Sequence, residues 1–452
     1  MTERPISGLD WRGAGQPPGD LILREASVLD PRAGIEALND IVIRGGRIAE
    51  LAAPGSAELD GAEVIEAGGL TAVPAFFDPH VHLRTPGRED KEDIETGSRA
   101  AAAGGYCGIL AMANTQPPVD SAGAIESLRE RATEDACVPV GFLATVTRGM
   151  KGDELTDMAE LVDVGAVGFS DDGLPIRSAR VMRRALQYQR MTGAQIALHE
   201  EDPELSGAGV MHEGEVSALL GMEGVPSISE STMIARDAAL ALYEEARIHV
   251  QHLSARESIE VVARAKEAGV QITCEATPHH LTLTDEAVRA LDSRFKMNPP
   301  LRTEDDRQAL IDALRSGIVD CIATDHAPHA PEEKEVPFEQ AAMGVTGLET
   351  AFAVINTDLI VPGILDLGTV IDRMSAGATA FGFELPSMSL DSEAHVALLD
   401  LDAEWEAGAD GWESRSHNSC FAGRKLRGRC QVTIAGGHVA FRQRAFALGV
   451  AP

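Results

Sequence analysis

The sequence predicts an α/β protein: a (β/α)8 TIM-type barrel carrying a small β-sandwich domain formed by both chain ends. Three observations predict it. From about Val73, short apolar runs alternate with amphipathic helical stretches, the pattern of parallel βα units. The apolar runs number eight. Before and after this block, short alternating segments broken by Gly turns read as antiparallel strands, and neither end encloses a core alone. The expected division is a mobile N-terminal tail at 1–19, the first part of the β domain at 20–72, the barrel at 73–385, and the second part of the β domain at 386–452.

In chain order, MTERPISGLDWRGAGQPPGD is polar and rich in Gly and Pro, which gives the mobile tail. LILREASVLDP, NDIVIRGGRIAEL and EVIEAGG follow as β-domain strands. The barrel strands are AVPAFFDPHVHL, GYCGILAMANT, VPVGFLATVT, AVGFSDD, AQIALHEED, RIHVQHLS, VQITCEATPHH and VDCIATDHAPH. Helices such as AIESLRERATEDA, SARVMRRALQYQRM, SIEVVARAKEAG and DRQALIDALRSG lie between them, with Gly just past several ends. HVALLDLDAEWEA and CQVTIAGGHVAF complete the β domain.

A length of 452 residues and a hydrophobic fraction of 44% suit one large catalytic domain with a smaller companion. A formal net charge of -32 argues against nucleic acid or anionic membrane as partner, since both require a basic surface. An anionic substrate would need local positive charge against that field. The six cysteines form no CxxC pair and sit in apolar runs, so they read as buried thiols of a reducing compartment. With no signal-peptide core and no membrane-length apolar run, a cytoplasmic protein is expected.

In FFDPHVHLRTPG, Asp78, His80, His82 and Arg84 stand at every second position. Alternate strand residues share a face, so His80 and His82 can share an ion. A lone HxH is more often a hydrogen-bonded strand end, and the other strand ends decide. Asn114 ends the second strand, Asp171 and Asp172 the fourth, His199 the fifth and His252 the sixth; Asp325 ends the eighth, with His329 in the loop beyond. Catalytic groups of such barrels stand at these ends. Imidazoles and carboxylates without thiolates suit zinc, with manganese or cobalt as substitutes. Six ligands exceed one tetrahedral ion, so two ions sharing a bridge are expected, with a hydroxide nucleophile between them. That chemistry implies hydrolysis or its reverse.

DPHVHLRTPG, MANTQPPVD, FSDDG, ALHEED, VQHLS, CEATPHHLTLTDE, KMNPPLR, TDHAPH and GVTGLET together resemble the class I dihydroorotases of the amidohydrolase superfamily. The resemblance spans nearly the whole chain after the tail. It implies reversible cyclisation of N-carbamoyl-L-aspartate to (S)-dihydroorotate in de novo pyrimidine biosynthesis. It also implies two zinc ions per chain, one on His80, His82 and Asp325 and one on His199 and His252, bridged by Asp172. Strand alternation alone does not separate Asp171 from Asp172. By the same resemblance Arg84, Asn114 and His329 hold the substrate carboxylate, Asn298 contacts the ring, and Asp325 is the catalytic proton carrier. A guanidinium is independently the natural partner of a carboxylate.

The chain departs from the family at Ala113, where proline is expected, and at AAMGV, where Met343 and Gly344 would offer backbone contacts to the substrate. His279, His280 and His326 read as loop-orienting or supporting residues. The alternatives are another cyclic amidohydrolase, an allantoinase or hydantoinase, or a non-catalytic partner of aspartate transcarbamoylase. The first usually bridges its ions with a carboxylated lysine, and GAVGFSDDG has none; the second is expected to lose ligands, and all six are present. A partnership with aspartate transcarbamoylase and a homo-oligomer both stay open.

Overall fold

The computed structural model describes residues 3–447; the first two residues of the expected tail and the last five of the second β-domain part lie outside them. The chain opens its first sheet with β1 (Leu21–Asp30), β2 (Ile35–Arg44), β3 (Arg47–Ala52), β4 (Glu63–Glu66) and β5 (Thr71–Pro74). β1, β2 and β3 form an antiparallel meander. The start of β1 pairs in parallel with β4 and its end with β5. Since β5 belongs to this sheet, the expected barrel start at residue 73 falls inside it.

The barrel strands are β6 (Phe76–Val81), β7 (Tyr106–Ala111), β8 (Val140–Ala144), β9 (Gly168–Phe169) and β10 (Gln195–Leu198). The loop after β10 carries a small parallel pair, β11 (Met211–His212) and β12 (Gly224–Val225). β13 (Arg247–Val250), β14 (Gln271–Ala276) and β15 (Cys321–Ile322) complete the eight. Each barrel strand pairs in parallel with the next. The circle closes beyond β15, where His326 bridges Val81 and its carbonyl accepts the His82 N–H at 2.9 Å. Strands covered on both faces read as continuous apolar runs, and all six residues of YCGILA are buried.

One helix lies behind each strand: Ile94–Ala103, Ala122–Asp135, Met158–Asp163, Ala179–Thr192, Ile228–Glu244, Arg256–Glu267, Glu304–Ser316 and Leu367–Ser375. Their ends follow local chemistry. Asp93 with Thr96 and Thr303 with Asp306 form capping boxes, and Gly193 and Gly317 close helices at φ 72° and 83°.

β16 (Val396–Glu406), β17 (Lys425–Ala435) and β18 (His438–Arg442) return to the first sheet, β16 pairing antiparallel with β5. The eight terminal strands thus form one hydrogen-bonded sheet around a second apolar core. β16 shows how that sheet docks. Val396 and Leu398 face its own core, while Ala397 and Leu399 pack into the barrel's core, so an all-apolar VALL serves both.

The N-terminal segment corrects its expectation as a mobile tail. Ile6, Leu9 and Trp11 are buried in the barrel core, Asp10 bridges the backbone of Val140, and Arg129 pairs with Asp10 at 2.7 Å. Averaged composition conceals three well-spaced apolar anchors. Replacing Trp11 with Ala is expected to cost about 3 kcal/mol, as for other buried aromatics, and to lower the melting temperature with metal content unchanged. A differential scanning measurement returning the wild-type midpoint would contradict this anchoring.

Candidate metal centre at the barrel mouth

The strand ends bring His80, His82, Asp172, His199, His252 and Asp325 into one buried cluster. His80 and His82 leave β6 on the same side. Asp325 Oδ1 lies 3.3 Å from His80 Nε2 and 3.1 Å from His82 Nε2. Across the mouth, His199 Nδ1 and His252 Nε2 stand 2.9 Å apart. Asp172 sits between the two groups, its Oδ1 3.6 Å from His80 Nε2, 3.6 Å from His199 Nδ1 and 3.7 Å from His252 Nε2. Its Oδ2 is 3.4 Å from His82 Nε2.

Asp172 Oδ1 is buried without a hydrogen-bond partner. An unpaired buried carboxylate oxygen is costly, and the imidazole nitrogens around it are too far away to satisfy it. Lone pairs converging on a shared space, with no thiolate among them, are the donor set of a divalent metal site. His80 with Asp172 and His252, and His80 with His82 and Asp325, each bring their ligand atoms close enough to hold one ion. The residues present therefore fit metal binding.

Backbone strain marks the same positions. Arg84, His252 and Asp325 have φ of 56°, 32° and 48°, a region that non-glycine residues seldom occupy and that clusters at functional sites. Burial would raise the Asp325 carboxyl, but His80 and His82 outweigh it and hold it at about 2. For Asp172 the same contest against burial is won by His199, His252 and His80, which keep it well below the usual carboxylate range.

Asp171, which strand alternation does not distinguish from Asp172, turns away. It accepts the N–H groups of Val146 at 2.8 Å and Thr147 at 3.1 Å, together with the Thr147 hydroxyl. Burial pushes its carboxyl up to about 6 despite those donors. From just after β9 it braces the loop that follows β8, outside the cluster.

The residues expected to meet substrate divide. Arg84 is half-buried, its Nε donates to the Pro328 carbonyl at 3.1 Å, and no carboxylate among the described residues pairs with it. Asn114 is engaged within the cluster itself: Oδ1 accepts from His82 Nδ1 at 2.9 Å, and Nδ2 donates to Asp172 Oδ2 at 3.2 Å. The loops carrying these two residues are laced together at Gly87 (φ 96°), where an added Cβ would lie 1.7 Å from the Gln116 carbonyl oxygen. Asn298 reaches the cluster's far side, donating to Glu201 at 2.6 Å and lying 3.3 Å from His199 Nε2. His329 contacts Glu333 at 3.0 Å and the Met343 carbonyl at 2.8 Å. The Gly344 backbone is already committed: its N–H donates to the Lys296 carbonyl at 3.0 Å and its carbonyl accepts from Lys334 at 3.0 Å.

Two acidic residues at the site lie outside the strand-end pattern that the sequence displays. Glu201 lies 3.4 Å from His199 Nε2, and Glu275 lies 2.5 Å from His80 Nδ1. For Glu275 the available signal is a carboxylate inside the apolar run QITCEA. His280 behaves as a loop-orienting residue, contacting Thr277 at 2.8 Å and the Pro299 carbonyl at 3.0 Å. His326 sits behind the site, 3.3 Å from Glu92.

Residues 69–258 match a family model described as dihydro-orotase-like. A dihydroorotase from Geobacter sp. (strain M21) is 42% identical over 424 residues, covering 94% of this chain and 99% of that protein. One from Geobacter metallireducens is 40% identical over 425 residues, covering 94% and 100%. Among solved structures, L-hydantoinase from Arthrobacter aurescens superposes with a TM-score of 0.82 at 24% identity, covering 93% of this chain and 96% of that one. Dihydropyrimidinase from Brevibacillus agri NCHU1002 gives 0.81 at 21% identity, covering 94% and 95%. At such identity the structural likeness speaks for the fold alone. The curated relatives match along nearly their whole length, and by that measure the chain belongs to the dihydroorotase family.

Proposed function

We infer that the chain is a dihydroorotase, interconverting N-carbamoyl-L-aspartate and (S)-dihydroorotate in de novo pyrimidine synthesis. The observation that carries this reading is a buried cluster of four imidazoles and two carboxylates with an unpaired guanidinium, Arg84, beside it. The first part is the donor set of a hydrolytic metal centre, and the second is a receptor for a substrate carboxylate.

In this reading His80, His82 and Asp325 would hold one zinc ion and His199 and His252 a second, with Asp172 as the carboxylate that would serve both. Bound there, the ions would polarise the ring amide carbonyl and make water acidic enough to act as nucleophile near neutral pH. The chain's own residues do the rest. Arg84 grips the free carboxylate, with His329 beside it, while Asn298 faces the ring and Met343 and Gly344 line the mouth. Asn114 steadies His82 and Asp172, a role its hydrogen bonds support better than direct substrate contact.

Asp325 carries the proton. In hydrolysis it takes a proton from the attacking water and delivers it to the ring nitrogen as the C–N bond breaks; cyclisation runs the same transfers in reverse. The protein works on a small-molecule substrate. Among the described residues no helix is long and apolar enough to cross a membrane, and all six cysteines are free thiols. These facts support a cytoplasmic enzyme. The transcarbamoylase partnership and self-association are open to sizing experiments with and without that enzyme.

Dihydroorotate hydrolysis alongside metal analysis tests the reading: turnover with two ions per chain is expected, and turnover of hydantoins or allantoin but not dihydroorotate would overturn it. Arg84→Met removes a charge-assisted contact of about 2–3 kcal/mol. It should lower kcat/KM on the order of 100-fold at full metal content, and normal kinetics would remove Arg84 from the substrate site. Asp325→Asn keeps an oxygen ligand but loses the base, so kcat should fall by about 10²–10⁴-fold. Near-normal turnover at full metal occupancy would assign the proton to another group.

Asp172 is an encoded carboxylate, so zinc reconstitution after chelation should restore activity equally with and without bicarbonate. Asp172→Ala should bind fewer than two ions. Strict bicarbonate dependence, or a carboxylated lysine in the intact mass, would exclude Asp172 as the bridge.

A further inference from the structure

We propose that Glu275 is a positioning residue for the metal centre, fixing the His80 ring so that Nε2 presents its lone pair to the cluster. The inference rests on the reading of His80 as a metal ligand.

Glu275 is the penultimate residue of β14 and is fully buried in the barrel interior. Its Oε1 lies 2.5 Å from His80 Nδ1 and accepts the His252 backbone N–H at 3.2 Å. Its Oε2 lies 3.0 Å from His249 Nε2, and His249 Nδ1 is 2.8 Å from the Thr273 hydroxyl. One carboxylate thus joins β6, β13 and β14 beneath the mouth.

An ionised carboxylate only accepts hydrogen bonds, so His80 must carry its proton on Nδ1. The lone pair then belongs to Nε2, the nitrogen 3.3 Å from Asp325 and 3.6 Å from Asp172. A carboxylate behind a ligating imidazole fixes its tautomer and ring orientation and raises its basicity. The contact with the His252 backbone N–H ties the same carboxylate to the segment that carries His252, without touching that ring.

His249, Glu275 and Cys321 also lie close enough to hold an ion of their own. Two facts oppose that use. Both Glu275 oxygens already accept hydrogens, and burial pushes the Cys321 thiol well above its usual range, away from the thiolate a metal requires.

The test titrates metal-free wild type and Glu275→Gln with zinc against a chelator of known affinity. Glutamine keeps the size and one acceptor oxygen but removes the charge. Zinc binding to one of two sites should weaken about 10–100-fold, with the melting temperature of the metal-free chain retained. Equal affinities for both proteins would overturn the proposal. If wild type itself binds no zinc, the assignment of His80 as a ligand fails instead.

Nitrogen-15 imidazole NMR of the metal-free wild type needs no variant to fold. A histidine protonated at Nδ1, assigned to His80 by its absence from His80→Ala, is expected. A His80 ring whose Nδ1 carries no proton, or a third zinc lost in Cys321→Ser, would refute the positioning role.

Discussion

The hydrogen bond from the His82 N–H to the His326 carbonyl closes the barrel, and the site depends on that closure. It joins the first strand to the continuation of the last, so Asp325 is held next to His80 and His82 although 243 residues separate it from His82. Asp78 reinforces the same seam. Its carboxylate accepts the His80 N–H at 3.0 Å, the Thr324 N–H at 3.2 Å and the Thr324 hydroxyl at 2.6 Å. These donors do not fully offset its burial, which leaves its carboxyl raised to about 7. Asp78, first in the alternation of Asp78, His80, His82 and Arg84, therefore binds strand to strand, while the later members serve the mouth.

What is legible in the amino-acid sequence follows from which forces are local. Strand period and helix caps are local, so the eight barrel strands and the chemistry at their ends can be read from the residues themselves. The alternation rule fails where a strand stops, and it stops between Phe169 and Asp171. Asp171 and Asp172 then differ only in their distant partners, the backbone of Val146 and Thr147 for one and four imidazoles for the other. Glu275 is hidden for the same reason, since its value lies in His80, His249 and the His252 backbone on other strands. The N-terminal segment misleads because its three anchors, Ile6, Leu9 and Trp11, are diluted by Gly, Pro and charge.

The clamps around the imidazoles share one logic. His80 is held from behind by Glu275, His82 by Asn114 and His199 by Glu201. In each case an oxygen contacts the ring nitrogen turned away from the centre, and the other nitrogen faces the cluster. Ring orientation is thus set by partners from other strands and loops, independently of any ion or substrate.

The last constraint is charge. A chain with a formal net charge of -32 must still attract a substrate bearing carboxylates. Acids near the mouth are allocated to other partners: Glu333 contacts Lys91 at 2.6 Å, Arg88 at 3.2 Å and His329 at 3.0 Å. Asp172 and Asp325 are held among imidazoles. Arg84 stays without a carboxylate because each nearby acid is already engaged. The charges that act on the guanidinium from a distance are those of Asp325, Asp172 and Glu333, in that order. Local pairing, rather than the sign of the whole surface, therefore decides that this acidic protein keeps an unpaired guanidinium beside the cluster.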